Sequence, residues 1–209
     1  MKSALVTGGS AGIGFALARM LRDEGHELTL VARRPEPLAE AAQELGAEAV
    51  GANLADTDEC VRAVAAHAER FGGMDVLVNC AGIGIGGSFG DQSTKAIDLQ
   101  VDVNLSAALV VTRESLPLLR ASGGHVINLA SIAGMLPTPG LAVYGATKAA
   151  LISFTRSLNR EEEEHGVRAT GDRTFRNPGA GVESLHVAID DHSRLGFACL
   201  RPDEKTPSV

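Results

Sequence analysis

The sequence predicts an α/β fold, a doubly wound parallel sheet, and three features of the chain predict it. Five short apolar runs alternate with longer segments whose apolar residues recur at helical spacing. A glycine-rich stretch joins the first apolar run directly to the first helical segment. The chain has 209 residues, 44% of them hydrophobic, which suits one sizeable core rather than two domains.

Taken in order, the first run is "SALVTG" (3–8), short, apolar and closed by glycine as a buried strand would be. Ile13, Leu17, Met20 and Leu21 then follow a 3.6-residue period that ends at Gly25. "ELTLVA" (27–32) and "AEAVGA" (47–52) read as the second and third strands, both fully buried. Val61, Val64, Ala65 and Ala68 mark the inner face of a helix ending near Gly72. "MDVLVN" (74–79) and "HVINLAS" (125–131) supply the fourth and fifth strands. Strands separated by helices of this length form βαβ units with right-handed crossovers.

Charge and cysteine usage narrow the function. The net charge is −7 with no basic block, which argues against nucleic acid as a partner. Cys60, Cys80 and Cys199 are odd in number, scattered and without metal-ligand spacing, so free thiols in a reducing compartment are expected and no metal site. The apolar run near the N-terminus is too short for a signal peptide or membrane span, so the expected location is cytoplasmic, with no membrane partner.

Three stretches carry chemistry. In "TGGSAGIG" (7–14), Gly8, Gly12 and Gly14 permit a tight turn, close approach to a pyrophosphate, and packing of helix on strand. The N-terminus of the following helix would offer free N–H groups to the phosphates. The alternative is a glycine-rich turn with no ligand. After the second strand come Arg33 and Arg34, with no carboxylate before Glu36. An acidic residue there would hold a ribose hydroxyl, whereas arginine favours the 2′-phosphate, so NADP(H) is preferred over NAD(H). The alternative is two solvated surface arginines with no ligand. In "YGATK" (144–148), Tyr144 and Lys148 are one helical turn apart, and Tyr144 is the chain's single tyrosine. A neighbouring ammonium stabilises a phenolate and lowers its pKa from about 10, making a general acid/base for a carbonyl oxygen. Ser131 closes the fifth strand, where ligands bind in such sheets, and could hydrogen-bond the substrate oxygen or simply cap a turn.

Together these motifs resemble the classical short-chain dehydrogenase/reductase family over residues 1–169, with its Rossmann-type sheet. "TGGSAGIG" is similar to the TGxxxGxG cofactor loop, and "NCAG" (79–82) to NNAG, with Cys80 in place of the second asparagine. Asn104 in "VDVNLSA" matches the catalytic asparagine, and Ser131, Tyr144 and Lys148 match the serine and the YxxxK pair. The resemblance implies a carbonyl or alcohol substrate. Tyr144 would exchange the proton and Ser131 orient the substrate. Lys148 would bind the nicotinamide ribose and tune Tyr144, while Asn104 would hold a relay water. It implies a cofactor site built from Gly8, Ser10, Gly12, Ile13, Gly14, Arg33, Arg34, Asn53, Leu54, Asn79, Ala81, Gly82, Tyr144 and Lys148, Asn53 standing where the family has an aspartate. The family commonly forms homodimers through its fourth and fifth helices.

The pattern breaks near residues 168–171. The stripe Leu151, Phe154, Leu158 reaches Glu162 inside "EEEE" (161–164), which reads as a solvated helix end. After "HGVRAT" the family continues into sixth and seventh strands and a substrate lid. Here "GDRTFRNPGAG" (171–181) is charged and aperiodic, and Pro178-Gly179 resembles the family's turn in letters only. The sheet is therefore expected to be truncated at its C-terminal edge, leaving the fifth strand as an edge and the site without its lid. Residues 181–205 resemble part of a DDE-type transposase/integrase core. "SLHVAI" and "LGFACL" flank a polar "DDHSR" turn as a β-hairpin, with Asp190 and Asp191 too isolated for a metal site. The implied organisation is a 1–169 cofactor domain with catalytic residues and a foreign 170–209 tail, as from a gene interrupted by a mobile element. A catalytically impaired, cofactor-binding remnant is the alternative to a working enzyme.

Overall fold

The computed structural model describes residues 1–171 and two later strands, Ser184–Ile189 and Gly196–Arg201. The expectations placed on Pro178-Gly179 and on Asp190 and Asp191 fall outside the described residues. Six parallel strands form the main sheet: β1 (Ser3–Thr7), β2 (Glu27–Ala32), β3 (Glu48–Gly51), β4 (Val76–Asn79), β5 (His125–Asn128) and β6 (Arg168–Thr170). Their order is β3-β2-β1-β4-β5-β6. The direction of winding reverses between β1 and β4, and ligands of open α/β sheets bind at the strand C-termini beside that reversal.

Successive strand residues point to opposite faces, so each strand feeds two cores. On one face Ala4, Val6, Leu28 and Leu30 pack with Leu17 and Leu21 of α1 (Gly12–Asp23) and Leu38 and Leu45 of α2 (Pro35–Leu45). On the other, Leu5, Val31, Leu77 and Val126 pack with Val64 of α3 (Thr57–Phe71), Val111 and Leu119 of α5 (Ala107–Ser122) and Leu158 of α6 (Ala142–Glu161). Between α4 (Thr94–Val101) and α5 lies a π-helical turn, Asp102–Ser106, so the fourth helix foreseen from the sequence is one long helix with a wide turn inside it.

Four expectations need correction. β3 is mostly exposed, because it is the sheet's edge strand and only one side of it is paired. The buried face of α3 is Cys60, Ala63, Val64 and His67, while Val61 and Ala65 face outward. His67 turns the helix inward because its ring is satisfied there: Nε2 donates to the Gly73 carbonyl (3.0 Å) and Nδ1 accepts from Thr29 Oγ1 (2.7 Å). Burial pushes its pKa down to about 4. Glu162 is not solvated but 3% exposed, and it accepts two 2.7 Å hydrogen bonds from Arg120 of α5. That guanidinium holds the Glu162 carboxyl below its usual range. Finally, "RAT" does form a sixth strand, pairing Ala169 with Val126, so β5 is not the edge. β7 (Ser184–Ile189) and β8 (Gly196–Arg201) pair antiparallel in a separate two-stranded sheet, as the expectation of two paired strands from these runs requires.

Candidate active site

The glycine loop is shaped by backbone contact. Gly8 has φ +68, and a Cβ on it would lie 2.9 Å from the backbone of Ala81. A Cβ on Gly14 would lie 2.3 Å from the Gly8 carbonyl oxygen, so the start of α1 sits directly on the loop that precedes it. Gly12, with φ +57, opens onto space: a Cβ there meets no atom within 4 Å. The helix N-terminus has no side-chain cap from Ala11, which leaves its first N–H groups for another acceptor. Ser10 and Ile13 are half-buried on this loop. A closed turn, a helix pressed against it and an uncapped N-terminus facing open space fit a dinucleotide pyrophosphate.

Thr7 ties this loop to the next. Its Oγ1 accepts from the N–H groups of Cys80 (3.1 Å) and Ala81 (3.2 Å) and donates to the Val78 carbonyl (3.3 Å). Thr7 lies within the glycine-rich motif, but no local sequence signal marks this role. Burial pushes the Cys80 thiol up to about 12, so it is not a nucleophile at neutral pH. Arg33 and Arg34 are exposed just beyond β2, and among the described residues neither is ion-paired. Asn53 is exposed beyond β3, with its N–H on Glu59 Oε2 (2.6 Å), and Leu54 is buried behind it.

The catalytic candidates converge at the ends of β4 and β5. Tyr144 and Lys148 occupy the first turns of α6. Lys148 is 4% exposed, donates from Nζ to the Leu129 carbonyl (2.7 Å), and lies 5.7 Å from the Tyr144 ring centroid. Ser131 is buried, and its Oγ accepts from the Ala133 N–H (3.2 Å) as the cap of the turn Ile132–Gly134. That turn rests on α6, since a Cβ on Gly145 would lie 2.6 Å from the Ala133 carbonyl oxygen. Gly82 faces the same space: a Cβ there would lie 3.3 Å from Asn104 Oδ1 and 3.5 Å from Lys148 Nζ. Gly84 runs along the Tyr144 ring.

Asn104 sits in the π turn with its side chain engaged. Oδ1 accepts from the Ile83 N–H (2.7 Å), and Nδ2 donates to the Ile83 carbonyl (2.8 Å) and Thr147 Oγ1 (3.2 Å). It braces the loop after β4. Thr147 and Gln100 were not foreseen. Thr147 donates to the Tyr144 carbonyl (2.7 Å), and Gln100 accepts from the Ile85 N–H (3.1 Å). Their only advance signal was polarity at an inward helix position. Asn79 is buried at the end of β4, its Nδ2 donating to Asn128 (2.8 Å) and Thr112 (3.0 Å).

Among the described residues no helix is long and apolar enough to cross a membrane. Comparison with known proteins agrees with this fold. The family model described as short chain dehydrogenase matches residues 2–171. An uncharacterized oxidoreductase of Staphylococcus epidermidis is 42% identical over 175 residues, covering 81% of this chain and 75% of that protein. One from Staphylococcus aureus is 35% identical over 176 residues, with the same coverage. Among solved structures, a short-chain dehydrogenase from Streptomyces avermitilis superposes with a TM-score of 0.76 at 32% identity, over 80% of this chain and 62% of that one. A short chain dehydrogenase/reductase family protein gives 0.74 at 36%, over 80% and 71%. The chain thus spans less than two thirds of the Streptomyces protein's length. By motif match, strand order and sequence identity, the chain belongs to the short-chain dehydrogenase/reductase family of oxidoreductases, whose members bind a nicotinamide cofactor.

Proposed function

We propose that this chain interconverts a small-molecule carbonyl compound and its alcohol with NADP(H), using Tyr144 as general acid/base. The observation that carries the reading is the buried ammonium of Lys148, held by Leu129 on one side and beside the Tyr144 ring on the other. A cation in that place favours the phenolate, so Tyr144 gives its proton to the carbonyl oxygen in reduction and takes it back in oxidation. The cofactor, when bound, supplies or accepts the hydride at the carbonyl carbon. Ser131 orients the substrate oxygen from the end of β5. Asn104 holds a relay water, from a position fixed by its side-chain bonds to Ile83 and Thr147. Gly8, Gly12 and Gly14 hold the pyrophosphate, and Arg33 and Arg34 hold the 2′-phosphate. Asn53 and Leu54 border the adenine.

An acidic chain with net charge −7 suits neither nucleic acid nor an anionic membrane surface, and a cytoplasmic setting fits. An apolar groove of about 370 Å³, lined by Phe89, Ile97, Val101, Leu105 and Val143, runs between α4, the π turn and α6, and supports pairing of two chains there. The family match stops at residue 171, which supports reading 170–209 as text of another origin. It also favours a second reading, a cofactor-binding remnant without turnover. Titration with NADPH and NADH, then a carbonyl panel, separates the two. NADPH should bind at least tenfold tighter, since a charge-assisted phosphate contact is worth about 1.5–3 kcal/mol, and Arg33→Asp should remove the preference. Equal dissociation constants would contradict the cofactor assignment, and binding with no turnover would favour the remnant.

A further inference from the structure

One layer below the catalytic pair lies a buried polar ladder that the proposed reaction does not use. Asn79 and Asn128, the last residues of β4 and β5, face each other in register. Asn79 Nδ2 donates to Thr112 Oγ1 of α5 (3.0 Å) and to Asn128 Oδ1 (2.8 Å). Asn128 Nδ2 donates to Thr155 Oγ1 of α6 (2.9 Å), and Thr155 Oγ1 donates to its own helix at Leu151 (2.7 Å). Because the Thr155 hydroxyl hydrogen is used on Leu151, Thr155 can only accept from Asn128, which fixes which way the Asn128 amide points. Asn79, Thr112, Asn128 and Thr155 are each no more than 4% exposed.

The ladder joins the catalytic pair through two adjacent residues. Asn128 holds Thr155, and the next residue, Leu129, receives Lys148 Nζ on its carbonyl and donates its N–H to the Asn79 carbonyl (2.9 Å). Lys148 and Thr155 are seven residues apart on α6, two turns along one face. α6 is thus fastened to β5 at two heights on the same strand end. Sliding or rotating the helix would strain both fastenings together. We propose that Thr155, acting through Asn128, is a positioning residue that holds α6 on β5 so that Lys148 meets the Leu129 carbonyl beside Tyr144. The inference rests on the reading of Lys148 as the group that tunes Tyr144. Removing the Thr155 oxygen leaves the Asn128 amide without a buried acceptor, and the strand end bearing Leu129 must readjust.

The chain has one tyrosine and no tryptophan, so tyrosinate absorbance reports Tyr144 alone without any substrate. Titrate the full chain, Thr155→Val, Thr155→Ser, Leu158→Val and Lys148→Met. Thr155→Val should raise the apparent Tyr144 pKa by about half a unit or more, toward its ordinary value, and Thr155→Ser should restore it. Leu158→Val, which loosens the same helix in the apolar core without touching the ladder, should leave the titration unchanged. If valine is not tolerated, Thr155→Ala gives the same reading. A Thr155→Val or Thr155→Ala titration matching the unmodified chain, while Lys148→Met shifts it, overturns the positioning role alone. An unshifted Lys148→Met overturns the tuning role on which the proposal rests, and the proposal with it.

Discussion

Around β1 the site is placed by backbone shape, whereas around β4 and β5 it is placed by hydrogen bonds between buried side chains. The glycine loop has backbone against backbone, with Gly14 under the Gly8 carbonyl and Gly8 against Ala81. The half that carries the catalytic candidates also uses close approach, at Gly145 under the Ala133 carbonyl, but its distinguishing feature is the run Thr112, Asn79, Asn128, Thr155. Shape suffices where a cofactor must be cradled by N–H groups. Where one ammonium must meet one ring, directional bonds locate the side chains.

The shape-built half is most sensitive at Gly14. Gly14→Ala should cost about 3 kcal/mol of stability or more, because the obstructing atom is backbone and cannot swing away, and NADPH affinity should fall at least about a hundredfold. Gly12→Ala should cost only about 1 kcal/mol, from its positive φ, yet also impair binding by filling the open space. Thermal melts with cofactor titration check both; a neutral Gly14→Ala would mean the loop is not held by shape.

The glycine spacing and the Tyr144–Lys148 pair were legible because each lies within one short stretch, where a loop or a single helical turn makes spacing meaningful. The five strands were legible for the same reason. The ladder was not, since its residues come from four elements with no common period. The Arg120–Glu162 bond was missed likewise: its partners are 42 residues apart, and four glutamates in a row read as a solvated end. Exposure of β3 depends on strand order, which local composition does not carry. β6 is only three residues long, too short to show period-two alternation.

Buried polar groups also set how the fold responds to acid. His67 has a pKa near 4 in the fold against 6.5 ordinarily, so the unfolded chain takes up its proton first. Its stabilising contribution is complete above about pH 6.5 and is lost as pH falls toward 4. Between pH 7 and 5 the loss should be on the order of 1–2 kcal/mol, and His67→Gln should flatten the slope of melting temperature against pH. A slope identical to the unmodified chain's would show that the ring is not a neutral brace.

Glu162 offers a smaller effect of the same origin. Its carboxyl is held below the usual range by Arg120, so its contribution is present above the unfolded carboxylate pKa and lost as pH drops through the folded one. Glu162→Gln should melt below the unmodified chain at pH 7, and the difference should shrink below about pH 4. A difference constant with pH would mean the pair contributes packing and not charge.

The proposed role of Tyr144 as the proton donor beside Lys148 is tested by one paired measurement: NADPH affinity and carbonyl turnover in the unmodified chain and in Tyr144→Phe. The expected result is turnover lowered by about 10²–10⁴-fold, with the NADPH dissociation constant almost unchanged. Turnover at the unmodified rate in Tyr144→Phe would place the chemistry elsewhere.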